Sequence, residues 1–220
     1  MNKSIFISNN HLPTTFKEKL RVAQFNVFTR SFIRFESVPF EVSPDEFEWI
    51  FFTSKRSVDF FLKGVSFSLK NHKIACIGEA TANHLNAKGI RVEFYGKNAG
   101  NPEEVAKEFL PLLKDNRVFL PLSSKSKKTI SNKIPTAQKL ECVVYITLLN
   151  SVELKGKFEY LVFTSPSNAE GFLQQNRIDA KQTVIAWGNS TRDYLEGKNV
   201  IVNHTLDTSS FNELESFLFP

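Results

Sequence analysis

The chain of 220 residues is 41% apolar and 23% charged, with a net charge of 28 − 23 = +5 and a pI near 9.1. That length suits one large domain or two small ones, each able to bury a core, in the composition range of a soluble globular protein. The mild positive excess favours anionic partners without choosing among nucleic acid, phosphate and carboxylate, and no block of five like charges marks a basic nucleic-acid tail.

From the start, "MNKSIFISNN" holds too short an apolar run for a signal peptide, and no span of 18 apolar residues follows. Residues 4–8 read as a strand, 14–22 as a helix and 25–36 as a long strand. Next come a strand at 48–53, a helix at 55–64, a strand at 73–77, a helix at 79–88 and a strand at 90–94. Gly89 supplies the stop after the helix that begins near Glu79. The helix at 102–114 has a clear start: Asn101 as cap, Pro102 at the first helical position, Glu103 and Glu104 in the first turn. Beyond it the pattern predicts a strand at 117–121, a helix at 126–134 and a strand at 140–148. The last part alternates strands at 159–164, 183–187 and 199–203 with helices at 166–175, 189–196 and 209–218. Strands alternating with helices predict an α/β protein with parallel sheets flanked by helices. Cys76 and Cys142 fall in separate strands, an arrangement that implies neither a disulfide framework nor a zinc site. The 22 phenylalanines concentrate in strands and read as a compositional bias.

The chain repeats itself. Phe52-Thr53-Ser54 matches Phe163-Thr164-Ser165 at an offset of 111, and "IACIGEATANHL" (74–85) matches "VIAWGNSTRDYL" (184–195) at an offset of 110. Gly78 pairs with Gly188, Thr81 with Thr191 and Leu85 with Leu195. Each half therefore carries strand-Thr-Ser-helix followed by strand-Gly-x-x-Thr-helix. In a parallel sheet such turns lie at the carboxyl ends of neighbouring strands, where ligands bind. The first half-repeat begins near Phe47, which leaves an N-terminal βα piece to join the sheet of the C-terminal half. "RSFIRFESVPF" and "LECVVYITLL" read as extended crossings. The expected domains are 1–32 with 150–220, and 38–140, joined by linker strands at 33–37 and 141–149, with the ligand cleft between the domains.

With "FFTSKRSV", "CIGEATANHL", "VVYIT", "VFTSPSNAEGFL" and "WGNSTRDYL" in this order, the chain resembles the uroporphyrinogen-III synthase family over nearly its whole length. The resemblance implies two α/β domains on a two-stranded linker with the tetrapyrrole in the cleft. It also implies a hydro-lyase of haem and other tetrapyrrole biosynthesis: hydroxymethylbilane loses water, its ring D inverts, and uroporphyrinogen III closes. No cofactor or metal is implied. Carried over by motif, the substrate-binding residues are Thr53, Ser54, Arg56, Ser57, Gly78, Thr81, Thr164, Ser165, Ser167, Gly188, Ser190 and Thr191, and Tyr145 assists the departing hydroxyl. The chain departs from the family where an arginine after the first strand is replaced by Asn9 and Asn10. A glycine-arginine pair is likewise replaced by "PLSSKSKKTI", so that Ser123, Ser124, Lys125, Lys127 and Lys128 are the stand-ins. The expected partner is a polycarboxylate substrate, met by a cytoplasmic monomer that engages neither nucleic acid nor membrane.

Blander readings stand beside these. Thr53-Ser54 and Thr164-Ser165 serve equally as helix caps, Gly78 and Gly188 as tight turns, Tyr145 as strand packing, and the lysines as a solvated face. "GKNAGN" (96–101) lacks the Gly-Lys-Ser/Thr ending of a phosphate loop. No G-x-G-x-x-G with a following acidic residue marks a dinucleotide site, and His11, His72, His84 and His204 show no metal-ligand spacing. The alternative function is a non-enzymatic binding or sensor protein closing on a small anion, with the same repeat and hinge.

Overall fold

A computed structural model describes residues 3–219. In chain order the elements begin β1 (Ser4–Ile7), α1 (Thr14–Val22), β2 (Asn26–Thr29), β3 (Ile33–Ser37), β4 (Trp49–Phe52) and α2 (Lys55–Gly64). They continue β5 (Lys73–Cys76), α3 (Glu79–Asn86), β6 (Phe94–Tyr95), α4 (Pro102–Leu113), β7 (Val118–Ser123) and β8 (Lys139–Leu149). The last are β9 (Tyr160–Phe163), α5 (Pro166–Leu173), β10 (Thr183–Ala186), α6 (Asn189–Glu196), β11 (His204–Thr205) and α7 (Phe211–Leu218). The chain divides into two compact units, Met1–Arg34 with Leu148–Pro220, and Phe35–Thr147.

The discontinuous unit holds a parallel sheet in the order β11-β10-β9-β1-β2. Its three inner strands β1, β9 and β10 are buried on both faces, as a parallel sheet covered by helices requires, while the edge strand β2 is largely exposed. Ile5, Ile7, Val162 and Ile185 point into one core with Phe16 and Leu20 of α1 and Leu214 of α7. Phe6, Leu161, Phe163, Val184 and Ala186 point into the other with Ala169, Phe172 and Leu195 from α5 and α6. The strict alternation follows from the two-residue period of a strand.

The continuous unit places its strands in the order β3-β8-β7-β4-β5-β6. β4 to β8 pair in parallel. β3 lies beside β8 at the edge, where Val38 N–H donates to the Val144 carbonyl, and Asn150 N–H to that of Phe32. Ile50, Phe52, Ile74, Cys76 and Phe119 face α2 and α3, while Trp49, Phe51, Ala75, Val118 and Leu120 face α4. Phenylalanine is the main filler here: Phe51, Phe94 and Phe109 pack within 6.5 Å of one another, as do Phe47, Phe61 and Phe119 within 5.6 Å along the contacts Phe47–Phe119 and Phe61–Phe119.

Comparing the two sheets strand by strand, β9, β10 and β11 occupy the places of β4, β5 and β6, and β1 and β2 those of β7 and β8. The sheet order is thus shared, but the pair that closes the series in one unit opens the chain in the other.

Four expected elements need correction. The helix expected at 126–134 does not form. Lys128 takes φ 55°, its N–H is held by the Ser126 hydroxyl, and the Ser131 hydroxyl donates to its carbonyl. Such local side-chain bonds compete with a helix, and only a 3-10 turn at Ser131–Lys133 remains. The strand expected at 25–36 is broken into β2 and β3 by a turn in which Ser31 N–H donates to Asn10 Oδ1 and Phe32 is fully buried. Those expected at 90–94 and 199–203 shrink to the two-residue β6 and β11 further along. Before each, a side chain takes one ladder bond: Glu93 and Asn203 accept through their side chains from Ile74 N–H and Val184 N–H, while their own N–H groups donate to the carbonyls of those residues.

Candidate active site

Each unit presents a rim where strands end and helices begin, built twice by the same sequence logic. In the continuous unit, β4 ends at Thr53, and Ser54 caps α2. Its hydroxyl accepts from Ser57 N–H at 3.0 Å, the Ser57 hydroxyl accepts from Ser54 N–H at 3.2 Å, and the Ser57 hydroxyl donates to the Ser54 carbonyl at 2.7 Å. Ser57 is 1% exposed. This pair serves the helix terminus itself, a reciprocal cap that fixes where α2 starts.

One strand over, Ile77 N–H donates to the Phe52 carbonyl, and Gly78 begins α3. Gly78 has φ 176°, extended backbone open to any residue. Glycine is needed there for closeness, since a Cβ would stand 2.6 Å from that of Ala99 in the neighbouring loop. With no side chain at the cap, the first N–H groups of α3 take no capping bond. Thr81, third in the helix, is 5% exposed. Its hydroxyl has no hydrogen-bond partner among the described residues and is not fully enclosed.

The discontinuous unit repeats this frame with different commitments. Ser165 caps α5 and accepts from Asn168 N–H at 3.2 Å. Gly188 begins α6 with φ 172°, and a Cβ would meet Ser209 Oγ at 2.9 Å. Thr191 is 3% exposed, and its hydroxyl is open in the same sense as that of Thr81. Ser167 is half-buried and Ser190 exposed. Thr164, however, is tied down: its hydroxyl donates to the Ser8 carbonyl at 2.6 Å, and its N–H donates to Ser8 Oγ at 2.8 Å. Asn168, buried, donates through Nδ2 to Ser165 Oγ and accepts through Oδ1 from Phe32 N–H at 2.7 Å and Ser31 Oγ at 3.2 Å. Sequence reasoning passed over Ser8 and Asn168. Nothing in "ISNN" or "TSPSNAE" shows that two segments 156 residues apart meet.

No such tie holds Thr53, whose hydroxyl has no partner among the described residues. It lines a cavity of about 250 Å³ with Ala99, Ser126, Lys127, Lys128 and Ser131. This brings the first rim to part of the basic segment. In that segment Ser123 Oγ accepts from Lys125 N–H, and Lys128 pairs with Glu141 at 2.5 Å. Burial pushes the Glu141 carboxyl up, but its bonds to Lys128 and Ser131 and the nearby Lys139 outweigh that and hold it below its usual range. Ser124, Lys125 and Lys127 are exposed. Asn9 and Asn10, the expected stand-ins for an arginine, spend their side-chain oxygens on the N–H groups of His11 and Ser31.

Tyr145 sits in β8, 6% exposed, its ring stacked on Phe60 at 5.0 Å and edge-on to Phe35 at 6.0 Å. Its phenol has no partner among the described residues and is not sealed. Arg56, exposed on the first turn of α2, lays its guanidinium 3.6 Å above the Phe35 ring and has no acidic partner among the described residues. Behind the rim, Asp59 of α2 accepts from His84 at 2.8 Å and pairs with Lys88 at 3.0 Å, joining α2 to α3. Burial raises the Asp59 pKa, but these two partners outweigh it and leave the carboxyl below its ordinary value.

Chemically, the rims offer backbone N–H groups at helix N-termini, open hydroxyls and one guanidinium, all of them donors suited to carboxylates. Among the described residues no three His, Cys, Asp or Glu side chains gather as metal donors would. No helix among them is long and apolar enough to cross a membrane.

The family model described as Uroporphyrinogen-III synthase HemD matches residues 14–213. Among solved structures, uroporphyrinogen-III synthetase from Helicobacter pylori is 23% identical, with 99% of each chain covered and a TM-score of 0.77. A mutant uroporphyrinogen III synthase from Thermus thermophilus is 17% identical, with 98% of this chain and 97% of that one covered and a TM-score of 0.58. At these identities the structural likeness carries the fold alone. A comparison with curated proteins finds no match.

Proposed function

The chain belongs to the uroporphyrinogen-III synthase family, and from that premise we propose how its rims act on the substrate. The family reaction, a hydro-lyase step of porphyrin biosynthesis, converts linear hydroxymethylbilane into uroporphyrinogen III. The observation that carries the residue-level reading is the doubled Gly-capped helix. α3 and α6 each begin at a bare glycine and offer uncapped N–H groups with one open threonine hydroxyl, Thr81 or Thr191. Each such terminus takes a carboxylate of the eight the substrate carries.

In this reading Thr53, Arg56 and the lysines at 125 and 127 add carboxylate donors, with Gly78, Gly188, Ser123, Ser167 and Ser190 shaping the edges. Ser54, Ser57, Thr164 and Ser165 hold the rims in shape. The chemistry needs little acid strength. The pyrrole nitrogen pushes out the hydroxyl, which takes a proton and leaves as water, giving an azafulvene. A carbon–carbon bond then forms from the azafulvene methylene to the substituted α-carbon of ring D. The older bond from this carbon to the ring C methylene breaks, giving a second azafulvene on ring C. Its methylene joins the free α-carbon of ring D, and loss of the proton from that carbon completes the inverted macrocycle. Tyr145 donates a hydrogen bond to the departing hydroxyl through its uncommitted phenol. The larger task is steering, because spontaneous closure gives the uninverted isomer, and fixed donors perform it by positioning. The enzyme acts as a cytoplasmic monomer, without metal, organic cofactor or nucleic acid.

The test is to give purified protein fresh hydroxymethylbilane and separate the product isomers. Type III product above the spontaneous background is expected, unchanged by chelator. Type I alone would overturn the reading.

A further inference from the structure

We propose that Phe35 is a positioning residue for this reaction, holding the Arg56 guanidinium beside the Tyr145 phenol as a carboxylate clamp. The inference rests on the reading above and goes beyond it, because Phe35 lies in a stretch whose sequence reads only as a crossing strand.

Four side chains make the device. Arg56 and Phe60 stand four residues apart on α2 and so share one helix face. Each meets a ring from a strand: the Arg56 guanidinium lies 3.6 Å from the Phe35 centroid, and the Phe60 ring stacks on Tyr145 at 5.0 Å with 18° between planes. Phe35 closes the square, edge-on to Tyr145 at 6.0 Å and 69°. A guanidinium stacked on a ring loses much of the freedom of its long side chain, while its N–H donors, all in its own plane, stay directed outward. Arg56 is exposed and has no acidic partner among the described residues, so those donors are open to an external anion. A planar fork held in one orientation is the arrangement that accepts a carboxylate bidentately. Removing the platform leaves the charge in place and returns its motion.

The experiment measures kcat and KM for type III formation in Phe35→Leu, Phe35→Met and Phe35→Trp, and in Phe35→Leu combined with Arg56→Gln. Loss of the aromatic face should raise KM roughly two- to fivefold, the scale of an exposed cation–π contact. Because such a clamp binds substrate and transition state alike, kcat should stay within about twofold. Phe35→Trp should restore KM, and Phe35→Leu should add nothing once Arg56 is Gln. Phe35→Met gives the same reading should the leucine variant fold poorly. An unchanged KM in both aliphatic variants overturns the inference, as does an increase equally large in the Arg56→Gln background, the mark of a structural role only. Wild type that makes no type III isomer removes the underlying reading and this inference with it. Wild type that makes it, beside an unmoved KM, removes this inference alone.

Discussion

Thr53 and Thr164 occupy the same place in the repeat, yet Thr→Val at the two sites should break different things. Valine keeps the shape and removes the hydroxyl. At Thr164 it takes the donor from the carbonyl of Ser8, a residue with 0% exposure, where the bond measures 2.6 Å. A buried acceptor left unpaired costs about 1–3 kcal/mol, so the discontinuous unit should lose roughly 2 kcal/mol, or on the order of 5–10 °C in Tm for a domain of its size. At Thr53 no internal bond is lost, and stability should stay within about 0.5 kcal/mol. If Thr53 instead binds a substrate carboxylate, the missing bond to a charged group is worth about 1.5–3 kcal/mol, roughly ten- to a hundredfold in kcat/KM. The chain provides its own probes, since its two tryptophans fall one per unit: Trp187 against Phe211 at 4.8 Å, and Trp49 against Phe109 at 5.3 Å. Thermal melts followed by Trp187 fluorescence in a Trp49→Phe background read the discontinuous unit separately, where a single two-state fit to the whole chain would mislead. An unshifted Trp187 melt in Thr164→Val refutes the tie to Ser8. Full activity in Thr53→Val refutes the substrate contact.

Tyr145→Phe keeps the stack on Phe60 and removes a phenol with no internal partner, so its melt should match wild type within about 0.5 kcal/mol. Type III formation should fall by about 10²-fold or less, the low end for general-acid assistance; a wild-type rate would leave Tyr145 as packing. Thr81→Ala and Thr191→Ala should each lower kcat/KM roughly ten- to a hundredfold if each hydroxyl binds a carboxylate, and two silent variants would reduce both to helix-start residues. Glu141 is held below its usual range by Lys128, Ser131 and Lys139 against the opposing effect of burial. Its contribution is therefore present above the ordinary glutamate pKa and lost as pH falls through the lower folded value. The urea midpoint of Glu141→Gln should thus lie below wild type near about pH 6 and converge with it towards about pH 3. A gap independent of pH would mean the ion pair adds no stability.

Much of the α/β layout is legible because local signals agree with tertiary ones. α2 begins where Ser54 offers a cap and Val58 and Phe61 lie three apart on what becomes its buried face. The segment 126–134 misleads for the same reason. Ile130 and Ile134 are four apart and both are buried, as a helix would have them, yet Ser126 and Ser131 spend their hydroxyls on backbone that a helix would need. Ile90 with Val92, and Val200 with Val202, alternate like strands and do pack against the cores. What the pattern hides is that the side chains of Glu93 and Asn203 take one ladder bond each from Ile74 and Val184. Gly78 is visible in the sequence, but the reason for it, Ala99 filling the space a Cβ would need, belongs to the neighbouring loop.

At the rims, sequence names the hydroxyls and cannot rank them, because what separates them is commitment to distant partners. Thr164 and Ser165 are bound into a network with Ser8, Asn168, Ser31 and the Phe32 backbone, all of it buried or half-buried. Such a network is stiff, since moving one member leaves others unpaired at low dielectric. Arg56 and Tyr145 hold their polar atoms uncommitted on a frame of phenylalanine contacts, which orients them without using up their donors, and the Thr53 hydroxyl beside them is likewise uncommitted. One repeat has thus yielded a rim fixed by hydrogen bonds and a rim fixed by packing. The second leaves more side-chain donors in reserve, Thr53, Arg56, Thr81 and Tyr145 against Thr191 on the first. A reaction that demands accurate placement and little acid strength has use for both kinds, with the groups nearest the chemistry expected on the packed one.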